Sequence, residues 1–306
     1  MREFKYVHNA ELPINIRVIY AAIKHKHFFM KNLKLSSGQI VPVLGQGTAG
    51  MAEDRSKRQE EIEALQLGLD LGLSLIDTAE LYANGKAEEL VAEAIGDRRK
   101  EAFLVSKVLP YNASKKGTLE ACENTLERLK TDYLDLYLLH WPGSIPLEET
   151  LEAFQLLKKN GKILSYGVSN FDLQGMKNAV SLSGGNDIVT NQVLYNLSRR
   201  GIEWDLLPWC QEHHLPIMAY SPIEQGRLIR DSTLKKIAAK LSATPAQIAL
   251  AWVLQQKEVM AIPKAGNVNH VRENHAALTL DLSELDLNEL DHAFLPPRKK
   301  TSLEMI

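Results

Sequence analysis

Apolar runs of five to seven residues alternate along this chain with longer segments whose apolar positions recur every three or four residues. The runs LGQGT, LSLIDTA, AFLVSKV, LDLYLLH, ILSYGVS, IVTNQVL, PIMAYSP and MAIPKA read as strands. Between them, RSKRQEEIEALQLGLDLG, AEELVAEAIGD, TLEACENTLERLK and PLEETLEAFQLLKKNGK read as amphipathic helices. Strands alternating with helices imply a parallel sheet, and eight such units predict a closed α/β architecture, the (β/α)8 TIM barrel. LKL and IVPV, separated by SSGQ, predict an N-terminal β-hairpin ahead of it. TPAQIALAWVLQQ adds a helix before the last strand, and SELDLNELDHAFL a C-terminal helix after barrel closure.

The runs end in polar residues. Asp77 closes the second strand, with Tyr82 just beyond it; Lys107 closes the third and His140 the fourth. Singly, each has an ordinary reading: Asp77 a turn cap, Tyr82 a loop aromatic, Lys107 a surface lysine, His140 a rim histidine. Together they stand at the C-terminal ends of neighbouring strands, where such barrels build their active sites. A tyrosine is a poor acid at neutral pH, and a cation beside it favours the phenolate. Lys107 is placed to lower the pKa of Tyr82, and Asp77 to keep a buried lysine charged. Tyr82 then suits proton donation to a carbonyl oxygen as hydride reaches carbon, with His140 orienting that oxygen.

Length and composition fit one domain. The chain has 306 residues, 45% hydrophobic and 24% charged, and its formal charge of -2 offers no footing for nucleic acid or an anionic membrane. Cys122 and Cys210 suggest neither a disulfide framework nor a redox or metal motif, and a reduced, cytoplasmic setting is expected. No apolar run approaches the roughly 20 residues of a membrane span. Residues 1–29 fit the pattern poorly: VIYAAI is too short for a signal core, and His25 and His27 lie between lysines without a partner ligand. They are expected to form a poorly ordered N-terminal extension, with Met30 opening the compact domain of residues 30–306.

Gly45, Gly47 and Gly50 spell G-x-G-x-x-G, the dinucleotide fingerprint. Eight βα units do not fit a doubly wound half-sheet, and Asp77 lies too far on to be its acidic partner. The later strands offer a different nucleotide site. Ser169, Asn170, Asn191 and Gln192 supply hydroxyl and amide groups suited to a carboxamide. Tyr220 offers a plane for a flat ring, with Ser221 ahead of a glycine-containing loop. Lys264 ends the eighth strand and Asn267 starts a helix, where phosphate sites recur in these barrels. Core packing for Tyr220 and a solvated charge for Lys264 are the plain alternatives.

IDTAELYANGKAEELVAEAI, LVSKV, YLLHWP, YGVSNF, NQVLYN, AYSP and IPKAGNVNHVRENHAA, in this order, resemble the aldo-keto reductase superfamily, in particular its short-looped bacterial branch. The resemblance covers the chain from about Lys31 onward. It implies an NADPH-dependent carbonyl reductase with Tyr82 as proton donor, Lys107 and Asp77 as its tuning pair, and His140 at the substrate carbonyl. It further implies that Ser169, Asn170 and Gln192 hold the nicotinamide amide, that Tyr220 stacks on the ring, and that Lys264 meets the 2′-phosphate. Gly47, Thr48, Ser221, Ile223 and His270 are implied as further cofactor contacts, with Glu273 and Asn274 near the adenine. Ala49, Tyr82, His140 and Trp141 are implied as the substrate pocket.

Two substitutions of the family pattern shape the expectation. His270 stands where many members carry an arginine, which weakens discrimination against NADH while Lys264 still favours NADPH. Ala49 replaces a tryptophan that walls the pocket in many members, and the WPGSIPLEE segment after His140 is short. Both favour small aldehydes and α-dicarbonyls, with ketones also expected as substrates; separately, a monomer is expected. The same fold also supports potassium-channel β subunits, so a cofactor-sensing regulatory subunit with little turnover is the alternative. A Schiff-base lyase using Lys107 is a third reading, opposed by the countercharge of Asp77.

Overall fold

A computed structural model describes residues 31–306, so the expectation of a poorly ordered extension over residues 1–29, and the role of Met30, lie outside the described residues. Strands β1 (Asn32–Lys34) and β2 (Ile40–Pro42) pair antiparallel, the predicted hairpin. Eight further strands follow: β3 (Gln46–Gly47), β4 (Leu75–Asp77), β5 (Phe103–Val108), β6 (Leu134–Leu139), β7 (Ile163–Ser169), β8 (Ile188–Leu194), β9 (Ile217–Tyr220) and β10 (Val259–Ala261). All are parallel, each beside its sequence neighbour from β3 through to β10.

The barrel closes where the ends of the sheet meet. Gly45 N–H donates to the Ala261 carbonyl at 2.8 Å, Gly47 N–H to that of Pro263 at 3.1 Å, and Ala261 N–H to that of Val43 at 2.7 Å. Gly45 and Gly47, two of the three glycines that mimic the dinucleotide fingerprint, serve this seam. A Cβ on Gly45 would stand 2.7 Å from the Leu75 carbonyl oxygen, and one on Gly47 2.6 Å from that of Ile262. The backbones approach too closely for any side chain there.

Strands β5, β6 and β8 are buried along their whole length, which explains why they read as continuous apolar runs rather than alternating ones. Inside the barrel Leu75, Val105, Leu136, Leu138, Val189, Met218 and Met260 pack with Leu35 and Val41 of the hairpin segment. The hairpin thus plugs the end of the barrel opposite the site. Gln39 ties it there, donating to the Asp135 carbonyl and accepting from Ser165 Oγ at 2.6 Å.

Helices fill the crossovers. Arg58–Asp70, Lys86–Ile95, Lys115–Leu129 and Leu147–Lys159 match the four periodic segments. Between β9 and β10 lie Ser232–Leu241 and Pro245–Gln255, the latter started by a Thr244–Gln247 capping box, and Glu284–Ala293 follows the barrel. Among the described residues no single helix is long and apolar enough to cross a membrane. One irregularity matters for the site: between Tyr166 and Val168 the β7–β8 register shifts, and it resumes with Val168 opposite Asn191 and Ser169 opposite Gln192.

Candidate active site

The end of β4 sets the first side chain. Asp77 is the last residue of the strand, buried, and Thr78 N–H bonds across to the Val105 carbonyl, which holds the chain against β5 as it leaves the sheet. The segment then turns through Tyr82 and the left-handed residues Ala83 (φ 48°) and Asn84 (φ 53°) before the helix Lys86–Ile95. That tight turn returns the Tyr82 hydroxyl over the strand ends.

Lys107 is the hub. Its side chain is fully buried, and its ammonium donates to Asp77 Oδ2 at 2.7 Å, the Thr78 carbonyl at 2.9 Å and Tyr82 Oη at 3.1 Å. Three donors thus meet three acceptors. Burial pulls Lys107 towards neutrality, but Asp77 and Tyr82 outweigh it and hold its pKa above the ordinary lysine value. A lysine kept protonated is no Schiff-base nucleophile.

The expected lowering of Tyr82 is corrected. Burial pushes the phenol up, Lys107 pulls it down, Asp77 pushes it up again, and the net direction is upward. The carboxylate that keeps Lys107 charged also offsets its field at Tyr82, and a buried phenolate is poorly solvated. His140 lies edge-on to Tyr82, ring centroids 5.8 Å apart. Burial, then repulsion from Lys107, drives its pKa down to about 3, so the imidazole is neutral at physiological pH. Its Nδ1 is buried without a hydrogen-bond partner in the protein.

Asp77, Tyr82 and His140, with Lys107 buried behind them, form one wall of a cavity of about 840 Å³ at the C-terminal end of the barrel. Asp77, Tyr82, His140, Trp141, Ala49 and Gly47 line one part of it, and Ser169, Asn170, Gln192, Tyr220, Ser221 and Ile223 the next. Lys264 and His270 stand in the same lining. Asn170 adopts φ 61°; its amide donates to the His140 carbonyl at 3.0 Å and to Ser169 Oγ at 3.1 Å, and its oxygen accepts from Tyr220 Oη at 3.1 Å. Gln192 donates to Asp77 Oδ1 at 2.8 Å. Hydrogen bonds thus join members of the two groups singled out in the sequence, Asp77 to Gln192 and His140 to Asn170.

Three of the implied cofactor contacts, Thr48, Glu273 and Asn274, stand apart from the lining. Thr48 is buried and donates to the Asp77 carbonyl at 3.0 Å. Glu273 accepts from the Thr244 hydroxyl, and Asn274 is buried on the same helix, Val268–Ala276. Asn191, the other amide at this level, turns away and bonds the Phe171 backbone. Asn267 caps that helix, accepting from His270 N–H at 2.9 Å.

Residues 43–294 match the model of the Aldo/keto reductase family. The chain belongs to the aldo/keto reductase family. A methylglyoxal reductase of Escherichia coli, YeaE, is 50% identical over 281 residues, 90% of this chain and 99% of that protein. A glyoxal reductase of Bacillus subtilis is 33% identical over 259 residues, 85% of this chain and 91% of that protein. A Klebsiella pneumoniae aldo/keto reductase, solved in complex with NADP and acetate, superposes with a TM-score of 0.88 at 48% identity, covering 90% of this chain and 99% of that one.

This aldo/keto reductase also lines its cavity with residues that sequence reasoning missed. Leu81, Gln225 and Gly226 come from the turns beside Tyr82 and after β9, and Met305 and Ile306 from the C-terminal tail. The glycine in EQGRL signalled the β9 loop. The tail carries no periodicity, so nothing in it announced a return to the cavity.

Proposed function

We propose that the protein reduces small aldehydes and α-dicarbonyls to alcohols with NADPH, Tyr82 acting as proton donor. The observation that carries this reading is the direction of one hydrogen bond. Lys107 donates to Tyr82 Oη, so Tyr82 does not spend its own proton on that bond, and its side chain lines the cavity. A carbonyl oxygen held there by the neutral imidazole of His140 receives that proton. Developing alkoxide is a stronger base than phenolate, so a phenol with a raised pKa still transfers its proton. Lys107 then lies 3.1 Å from the phenolate charge, while Asp77 and Thr78 hold the ammonium in place. General acid catalysis of this kind is worth roughly 10²–10⁴ in rate.

The lining fits a nicotinamide dinucleotide. Tyr220 offers an aromatic face beside Ser169, Asn170 and Gln192. The Gln192 amide nitrogen is engaged by Asp77 and the Met218 sulfur, which leaves its oxygen for a carboxamide. Lys264 and His270 would meet phosphate, Lys264 as a fixed positive charge that favours NADPH over NADH. When bound, the cofactor supplies the hydride. The YeaE and glyoxal reductase relatives support dicarbonyl substrates, as does Ala49, whose methyl group leaves that wall open. Loss of nicotinamide absorbance tests the reading, with methylglyoxal and NADPH or NADH supplied in parallel. Faster oxidation of NADPH is expected. Tight cofactor binding without oxidation over a panel of aldehydes would favour a sensing subunit instead.

A further inference from the structure

Two segments that wall the cavity are held by one guanidinium. Arg199, in the turn after β8, donates to Glu224 Oε1 through Nε at 3.2 Å and Nη2 at 3.0 Å, and to Glu304 Oε1 through Nη1 at 2.6 Å. Glu224 belongs to the loop after β9, whose residues Ser221, Ile223, Gln225 and Gly226 line the cavity. Glu304 immediately precedes Met305 and Ile306, which line it from the tail, and the Ile306 amide lies beside the Tyr220 hydroxyl.

The loop does not hold its shape by backbone preference. Ser221, Glu224 and Gln225 all have positive φ, 48°, 50° and 53°, a region that L-residues adopt only when surroundings over-determine them. What over-determines Glu224 is its carboxylate, which is buried. Asn196 donates to its Oε2 at 2.7 Å and to the Ser221 carbonyl at 2.9 Å, while Arg199 and Arg227 share its Oε1. Arg199 is the member of this cluster that also reaches the tail, and its planar fork is suited to two carboxylates at once.

We propose that Arg199 is a positioning residue that couples the tail to the cofactor loop, so that the nicotinamide cofactor leaves the cavity only when the Glu224–Arg199–Glu304 clasp opens. This rests on the reading of the cavity as the cofactor site. Glu304→Gln is the informative variant, because it weakens the tail arm and touches neither the loop nor the barrel. Stopped-flow displacement of NADPH is followed by nicotinamide fluorescence, with thermal midpoints measured alongside.

Dissociation is expected to speed up roughly threefold to fivefold in Glu304→Gln, the scale of one partly exposed ion pair, at an unchanged midpoint. Arg199→Lys, which keeps the charge and loses the fork, should release NADPH faster as well. Adding Glu304→Gln to Arg199→Lys should then have a smaller effect than Glu304→Gln alone. An unchanged dissociation rate in Glu304→Gln overturns the coupling, as does an undiminished effect in the Arg199→Lys background. If the unaltered protein binds neither NADPH nor NADH, the cofactor-site reading itself has failed, and this proposal falls with it.

Discussion

Gln192 on β8 donates to Asp77 Oδ1 on β4 at 2.8 Å, across the barrel mouth, while Lys107 takes the other oxygen of the same carboxylate at 2.7 Å. One buried carboxylate therefore joins the proton-donor cluster to the residues proposed to hold the nicotinamide amide. Gln192→Met removes at once the bond to Asp77 and the bond proposed to the nicotinamide amide. It should raise the dissociation constant for NADPH about tenfold and lower stability by about 1–3 kcal/mol, since Asp77 Oδ1 loses a buried donor. Fluorescence titration and urea unfolding measure the two effects separately.

Lys107 and Asp77 are a buried pair, and removing one partner is costlier than removing both. Lys107→Met should lose about 3–5 kcal/mol of stability because it strands the Asp77 carboxylate. The double variant Asp77→Asn with Lys107→Met should regain most of that stability, with turnover still lost. Urea midpoints together with NADPH oxidation rates check both parts.

His140 sets an acid limit on stability rather than on activity. Its pKa is about 3 in the folded protein against an ordinary 6.5, because burial and Lys107 disfavour the imidazolium. Between those values the unfolded chain binds more protons than the native one. Stability therefore falls as pH drops through that window, by up to about 1.4 kcal/mol per pH unit from this residue. His140→Gln should flatten that dependence in urea midpoints taken from pH 7 to 5. Reduction by the unaltered enzyme should show no histidine limb over roughly the same range, since the imidazole is already neutral. Activity should decline on the alkaline side, as Tyr82 loses the proton it donates.

Lys264 is the charge proposed to separate the two cofactors. Lys264→Ala should weaken NADPH binding roughly tenfold to a hundredfold, the range of a charge-assisted contact, and leave NADH binding unchanged. Parallel titrations with both cofactors decide it; equal losses for the two would remove Lys264 from 2′-phosphate recognition.

The sequence makes Asp77, Lys107 and His140 legible because each ends an apolar run with a polar group, a pattern that packing does not require. It also exposes the barrel, through eight runs alternating with periodic helices. The Gln192–Asp77 bond stays hidden, because it depends on closure and on the shifted β7–β8 register. The net acidity of Tyr82 is hidden for another reason: residue spacing shows the cation, while burial and the opposing carboxylate emerge only from packing. The bond from Thr244 to Glu273 is likewise hidden, because it joins segments 29 residues apart. The Arg199 clasp joins residues 105 positions apart and has no local signature at all.

If Tyr82 delivers the proton, its hydroxyl is what Tyr82→Phe removes from the reaction with NADPH and methylglyoxal. Substituting the ring without its hydroxyl leaves Lys107 with Asp77 and Thr78 as acceptors, so the site should stay folded. The single-turnover rate of NADPH oxidation is expected to fall roughly 10²–10⁴-fold while the NADPH dissociation constant stays within about twofold. A variant that oxidises NADPH at the rate of the unaltered enzyme would contradict that role of Tyr82.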